Sequence, residues 1–453
     1  MKLRKLTVAS STLALLLASS GAAALNLEFS GGLHSEYSSN MPRTYDSESD
    51  LLTEVWAGAS LQESTALWQG QLAGVIGYEE YLDDTVDDDF TASLAALLDV
   101  TLLPGRLSWH VENYYQQIDT DILEPSGRRN RQNSNVLWTG PDLRFRFARL
   151  YHLDIGARYG DYYYEETPGD NERQAVLARF SRRLSEQSEI YLMGETMKVE
   201  YEDPGTHIVT IPEYRDEAGE RLETELRISD FDRHDVFAGY RYNTTRSELQ
   251  IDAGYSRIER DAEPDVDGPL FGVSLSRDLA RNARIGIELS RRYSESGEAL
   301  LNSGGFRLDP DLRRGTVVED IMKLSRATLH FASGVTGEEF RLRLFTLEEE
   351  YETIELLSRQ ITGVSVERNW RLAPLWGLRV GGEYRYSDYD YIDVEDDDIL
   401  LRAEATHRLT RRLRLEFGLG AYLRESNQDL RDFDEYVALV SLVYGERPSW
   451  SDR

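Results

Sequence analysis

Hydrophobic and polar residues alternate with a period of two along most of the chain. In 412–421 the odd positions are leucine, phenylalanine or alanine, and the even positions are arginine, glutamate or glycine. The same period recurs in 143–148, 284–289 and 340–344. Because successive side chains of a strand point to opposite faces, this period predicts strands with one apolar face and one polar face.

Such runs, of about ten or more residues, recur from Leu27 to Tyr444, a length that suits a tilted strand crossing a bilayer. Short turns alternate with long acidic connections. The predicted turns are 62–64, 103–105, 185–187, 280–282, 333–334 and 410–411, and the predicted loops are 38–50, 83–89, 117–134, 203–232, 294–316 and 389–398. The sequence therefore predicts an all-β fold, a transmembrane antiparallel up-and-down barrel of about 20 strands, within a range of 16–22.

The N-terminus has the order of features found in a cleavable secretory signal. Lys2, Arg4 and Lys5 precede a short apolar run, and 22–24 are three alanines. That run is too short to cross a bilayer as a helix. We expect a signal peptide at 1–24, a barrel at 25–445 and a short tail at 446–453, with the mature chain in the outer membrane.

The amino-acid composition excludes or disfavours several classes of function. The chain has no cysteine and a formal net charge of -30, so thiol chemistry is excluded and binding of nucleic acid through a basic surface is not expected. No zinc, EF-hand or G-x-S-x-G spacing occurs. The acidic clusters in 83–89 and 393–398 are interpreted as solvated outer loops, with a calcium site as the less favoured alternative. Weak divalent bridging to lipopolysaccharide is compatible with both interpretations. We predict no enzyme activity, no cofactor and no metal.

Aromatic residues near the strand ends suggest interfacial girdles, because an amphipathic ring suits the boundary between lipid and water. The last strand, 436–444, has outward apolar residues with a tyrosine at each end, which is typical of a barrel-assembly signal. The predicted loop-side girdle is Tyr78, Tyr81, Tyr114, Tyr115, Tyr162, Tyr163, Tyr164, Tyr240, Tyr242, Tyr384, Tyr386, Tyr389 and Tyr391. Trp68, Trp138, Trp370 and Trp376 are predicted nearer the other rim.

Charged residues on the polar faces are predicted to face the lumen, because a charge on the lipid face is costly at mid-depth. These lumen-facing candidates are Arg144, Arg146, Arg158, Arg341, Arg343, Arg412, Arg414, Glu288, Glu383 and Glu416. Two interpretations remain open. The arginines either attract an anionic solute or pair with the glutamates and stiffen the wall.

Several motifs lie near strand ends: Glu36-Tyr37-Ser38-Ser39-Asn40, 48–55, the segment 128–133 rich in arginine and asparagine, and the closures 181–185 and 407–411. With these motifs the chain resembles the β-barrel porin type 2 family, and more narrowly outer-membrane proteins found with exosortase/PEP-CTERM exopolysaccharide systems. The resemblance covers essentially the mature chain and implies a barrel acting beside polysaccharide synthesis and export.

These observations lead to a hypothesis of a porin-like barrel serving exopolysaccharide export or assembly. Two alternatives stay open: a general diffusion porin for small solutes, and a non-conducting barrel that docks periplasmic export components. Expected partners are outer-membrane lipid and lipopolysaccharide, the barrel-assembly machinery, and polysaccharide with periplasmic export components.

Overall fold

A computed structural model describes residues 26–446 except 122, 216–220, 295–319 and 336, and it describes no side chains in 208–224. The predicted signal peptide and most of the predicted tail lie outside the described residues. No helix among the described residues is long and apolar enough to cross a bilayer. The helices described are two 3-10 turns, Glu355–Leu357 and Asp429–Arg431.

The described residues form 22 strands. In chain order they are β1 Asn26–Ser38, β2 Asp50–Ser64, β3 Trp68–Tyr81, β4 Asp89–Leu103, β5 Leu107–Ile118, β6 Gln132–Phe147, β7 Tyr151–Tyr164, β8 Asn171–Arg183, β9 Ser188–Tyr201, β10 Gly205–Arg215, β11 Arg221–Ile228, β12 Phe231–Asn243, β13 Ser247–Arg260, β14 Val266–Ala280, β15 Ala283–Ser294, β16 Met322–Val335, β17 Glu338–Tyr351, β18 Arg359–Ala373, β19 Trp376–Tyr389, β20 Glu395–Arg408, β21 Leu413–Ser426 and β22 Phe433–Tyr444.

Twenty of these strands form one closed antiparallel sheet. Each pairs with its neighbours in the chain, and β1 closes the sheet by pairing with β22 from Gly31↔Tyr444 to Ser38↔Val437. β9 pairs directly with β12, so β10 and β11 form a separate hairpin in one long connection. The predicted all-β barrel of about twenty strands is confirmed.

All long connections lie at one end of the barrel, here called the loop end, and all short ones lie at the turn end. Besides the described parts of the predicted loops, the loop end includes 165–170, 261–265, 352–358 and 427–432, whereas the predicted loop 294–316 lies outside the described residues except for Ser294. The turn end includes 148–150, 244–246 and 374–375. Two of the predicted turns are misplaced. The turn between β2 and β3 is 65–67 instead of 62–64, and the predicted turn 333–334 lies within β16, which continues to Val335. At Gly105 the φ of 69° explains the glycine in turn 104–106.

The outer face of the barrel is an exposed apolar belt. In β21 the outward residues from Leu413 to Leu423 are apolar, with Phe417 42% and Leu419 67% exposed. Ten residue steps of about 3.3 Å, tilted by about 40°, give a belt about 25 Å tall, which is the height of the apolar band in transmembrane barrels.

The aromatic girdle is only partly as predicted. Tyr78 and Tyr384 are exposed on the outside, whereas five of the predicted girdle residues are buried inside the barrel at its loop end. These five are Tyr81, Tyr114, Tyr162, Tyr164 and Tyr389. Trp138 is also buried inside, and Tyr242 lies near the turn end of β12. The prediction failed there because adjacent tyrosines in one strand point to opposite faces.

We predict that Leu419→Arg destabilises the barrel in lipid vesicles, because it places a guanidinium on the outer face at mid-belt. The expected loss in free energy of unfolding is about 2–4 kcal/mol, measured by denaturant titration. Glu425→Arg is the control, since it faces outward from the same strand beyond the apolar belt. Equal losses in the two variants would contradict a lipid-facing belt.

Candidate functional site: the lumen and its loop-end mouth

The inner face of the barrel is tightly covered at the loop end and more accessible at the turn end. In β2 the inward residues Asp50, Leu52, Glu54 and Trp56 are buried, whereas Gln62, inward near the turn end, is exposed. The same gradient occurs in β13, where Ser256 and Ile258 are buried and Glu248 is exposed. The lumen therefore has room for water towards the turn end and is packed shut towards the loops.

A hydrophobic cluster fills much of the mouth. It joins inward aromatics such as Tyr114 and Trp138 to residues of several loops. The loop members include Leu123, 2% exposed, Ile354 and Leu357 between β17 and β18, and Ile392 between β19 and β20. Loops that leave the wall at distant strands thus contribute to one apolar core, which stabilises a closed mouth.

The connection 119–131, here called the strap, folds inward over β1–β4. Arg128 pairs with Glu36 at 2.9 Å, and Arg131 pairs with Glu79 at 2.7 Å. Buried Asn130 holds the strap in shape: its side-chain oxygen accepts from the N–H groups of Thr120 and Asp121, and its amide donates to the Asp121 carbonyl at 2.7 Å. The strap is therefore a built element with its own internal hydrogen bonds.

Two further arginines fix the loops beside the strap. Arg43, between β1 and β2, pairs with Glu435 at 2.7 Å and donates to the Ser126 carbonyl of the strap. Arg431, between β21 and β22 and 2% exposed, binds both carboxylate oxygens of Asp396, at 3.2 Å and 2.6 Å. This buried pair is here called the clamp. Its charges are desolvated, so removing one partner is costly.

The strap binds to the part of the barrel wall whose inward-facing residues have the largest excess of negative charge. Strands β1–β5 contain no lysine or arginine. Their inward rows carry Glu28, Glu36, Asp50, Glu54, Glu79, Asp89, Asp99 and Glu112. Two inward histidines contact this acidic wall, His34 with Glu36 at 3.2 Å and His110 with Asp99 at 2.9 Å. The strap arginines supply the positive charge that the strands lack.

Most of the lumen-facing candidates carry ion pairs within the wall. Arg158 binds both oxygens of Asp142, at 2.7 Å and 2.9 Å, and Arg144 contacts Asp154 at 3.1 Å. Arg341 contacts Glu339 at 2.7 Å and Glu367 at 3.2 Å. The remaining pairs are Arg343 with Glu383 at 3.6 Å and Arg414 with Glu416.

Three candidates lie apart from these pairs. Arg146 and Glu288 are exposed in the inward rows of β6 and β15, near the turn end and at mid-strand respectively. Arg412 lies in the turn before β21 and donates to the hydroxyl of Tyr444, an outward residue, at 3.3 Å. The structure therefore places Arg412 at the rim instead of in an inward row.

Sequence reasoning did not single out Arg43 or Arg431, and it noted Arg128 and Arg131 only as part of a family motif. The available signal was charge contrast, because a loop with three arginines follows five strands without any. Among the described residues, no three His, Asp or Glu side chains converge as a metal site would require.

Together, the fold and this site define a closed twenty-strand β-barrel whose loops pack into one mouth. No family model matches the chain, and no curated protein matches it. Solved structures similar to it include the FrpB iron transporter from Neisseria meningitidis, F3-3 variant, at 10% identity and TM-score 0.43, with 92% of this chain and 81% of that chain covered.

Two others are the siderophore receptor PirA from Pseudomonas aeruginosa, at 9% identity and TM-score 0.42, and the copper transporter OprC, at 9% and 0.45. Both alignments cover 92% of this chain and 80% of the other. Likeness at this level carries no argument about ligand or activity. The assignment of a barrel fold is based on the strand pairing described above.

Closure of the mouth should depend on pH through the strap carboxyls. Burial raises the pKa of Asp121 and of Glu124 above their ordinary values, with the Asp121 charge adding to the rise at Glu124, while Arg431 opposes both shifts. A raised folded-state pKa stabilises docking below the ordinary value of about 4. That stabilisation is lost as pH rises through the docked pKa.

A spin label on Gly127→Cys, the only thiol in such a variant, tests this prediction. We expect the mobile fraction of the label to increase as the pH rises above about 4, the ordinary pKa of these carboxyls, and Asp121→Asn to flatten that dependence. The control, Asp87→Asn, changes an exposed carboxylate of the loop between β3 and β4. Mobility independent of pH, or flattened equally by the control, would contradict the prediction.

Proposed function

We propose that this protein is an outer-membrane, porin-like barrel that passes an acidic polysaccharide during exopolysaccharide export or assembly. The closed sheet and the apolar belt support the membrane location, since every backbone group in lipid must be paired. The predicted signal peptide supports export from the cytoplasm. In β22 the outward row Tyr436, Ala438, Val440, Leu442 and Tyr444 is consistent with a barrel-assembly signal.

The observation that carries the proposal is an excess of arginine on one wall of the accessible lumen. From the turn end to mid-strand, β17–β21 have inward arginines at 341, 343, 371, 379, 402, 408 and 414, and inward glutamates at 339, 367, 383, 404 and 416. Paired guanidinium groups retain donors beyond those used by one carboxylate. Such a wall favours an anionic polymer over a neutral one.

In the structure the path is closed at the loop end by the strap, the clamp and the apolar cluster. We therefore expect the wild-type barrel to be mainly closed in a planar bilayer, and Arg128→Gln with Arg131→Gln to raise its open probability. Arg129→Gln is the matched control, because this neighbouring arginine is exposed and makes no ion pair among the described residues. Single-channel recording gives the comparison.

A barrel that stays silent in the strap variant, although shown to be folded, would contradict the porin-like proposal. It would favour the second candidate, a non-conducting barrel that docks periplasmic export components. The hydrophobic cluster that fills much of the mouth is the observation that supports this candidate.

The class of solute is tested on the variant with Arg128→Gln and Arg131→Gln, which we expect to be open. Polygalacturonate added on the turn side should block the current at lower concentration than uncharged dextran of equal length. Adding Arg341→Gln and Arg402→Gln should weaken that block by about tenfold or more, since two charge-assisted contacts are lost. Lys198→Gln with Arg257→Gln is the control, because both side chains are exposed on the outer face.

Equal block by the two polymers, or equal weakening by the control, would contradict an acidic polysaccharide. Block by small solutes alone would favour the general diffusion porin.

A further inference from the structure

The nine short turns at the turn end are rich in arginine and leucine, although these residues do not line the lumen. They contain six arginines and one acidic residue, Glu186. The arginines are Arg106, Arg149, Arg246, Arg281, Arg411 and Arg412. Five leucines lie in the same turns, all exposed: Leu67 65%, Leu150 45%, Leu184 50%, Leu375 53% and Leu409 45%.

The turn arginines differ from the lumen arginines in their partners. Arg106, Arg149, Arg246, Arg281 and Arg411 are exposed, and no side-chain hydrogen bond or ion pair holds them among the described residues. Most of the inward arginines, by contrast, contact carboxylates of the wall. The turns therefore present guanidinium groups with their donors directed to the surroundings.

The opposite end of the barrel has the opposite charge. Loops 82–88, 165–170 and 261–265 contain aspartate and glutamate but no lysine or arginine. The protein is thus polarised along its axis, although its net charge is -30. The basic end lies next to the apolar belt, where Trp109 and Trp376 are also exposed, at 41% and 39%.

We propose that this turn-end rim binds the headgroups of anionic phospholipids. Guanidinium groups form paired hydrogen bonds with phosphate, and exposed leucines beside them continue the apolar belt into the acyl chains. The arginines and leucines lie in turns distributed around the barrel, between β2 and β3 as well as between β20 and β21. A surrounding lipid shell fits such a ring better than one docked protein.

The proposal depends on the membrane location proposed above, and tryptophan quenching separates the two. The protein is reconstituted in vesicles containing brominated phosphatidylglycerol or brominated phosphatidylcholine, and outward tryptophans near the rim report which lipid is adjacent. We expect phosphatidylglycerol to bind about two- to fivefold more strongly at low salt. In high salt the ratio of the two binding strengths should fall towards one, because exposed charges are screened.

Arg149→Gln with Arg411→Gln should remove most of the preference. The matched control, Lys198→Gln with Arg257→Gln, removes the same charge from the outer face near the loop end and should retain it. Equal quenching by both lipids in the wild type, or equal loss in both variants, would overturn the rim proposal alone. Absence of quenching by either lipid would overturn the membrane location as well.

Discussion

Closure of the backbone hydrogen bonds between the first and the last strand is the constraint on which the rest of the structure depends. Strands β1 and β22 lie 407 residues apart along the chain at the contact His34–Ser441, where the two side chains hydrogen bond at 2.8 Å. Without this pairing the sheet would have two open edges, which lipid does not tolerate. With it, every strand of the barrel sheet has two neighbours, and alternation fixes one face for lipid and the other for the lumen.

Once the sheet closes, the charges of the inward rows must be neutralised inside a confined space. Around β17–β21 this happens locally, as where Arg343 and Arg385 both contact Glu383. Around β1–β5 the strands have no lysine or arginine of their own, so the strap supplies Arg128 and Arg131 from the loop end. Local neutralisation leaves the lumen accessible, whereas neutralisation by the strap closes the mouth. The distribution of arginine along the sequence thus decides which part of the lumen is open.

The fold could be predicted from the sequence because adjacent residues of a strand point to opposite faces, so the polarity of each residue indicates its face. The assignment of Leu413 and Leu415 to one face and of Arg414 to the other needs no knowledge of neighbouring strands. Strand ends are different: β16 continues past Ser333 and Gly334 because β17 offers backbone partners up to Val335↔Glu338. Likewise, the pairing of Arg341 with Glu367 depends on register between strands, and Arg431 reaches Asp396 only when β20, β21 and β22 have paired.

The interactions at the mouth differ in strength, and this difference indicates where it would open. The strap pairs are less deeply buried: Arg131 has 15% of its side chain exposed and Arg128 has 21%, although their partners Glu79 and Glu36 are buried. Such pairs stabilise docking more than fully exposed pairs, which typically contribute about 0–1 kcal/mol each. The clamp is almost fully buried, and breaking such a pair typically costs about 3–5 kcal/mol. Motion of the strap away from β1–β4 is therefore the less costly route, while the clamp keeps the adjoining loops on the wall. A mouth that opens on the acidic side would expose Glu36 and Glu79. Their negative charge would repel an anionic solute of the class proposed above and direct it towards the arginines of β17–β21.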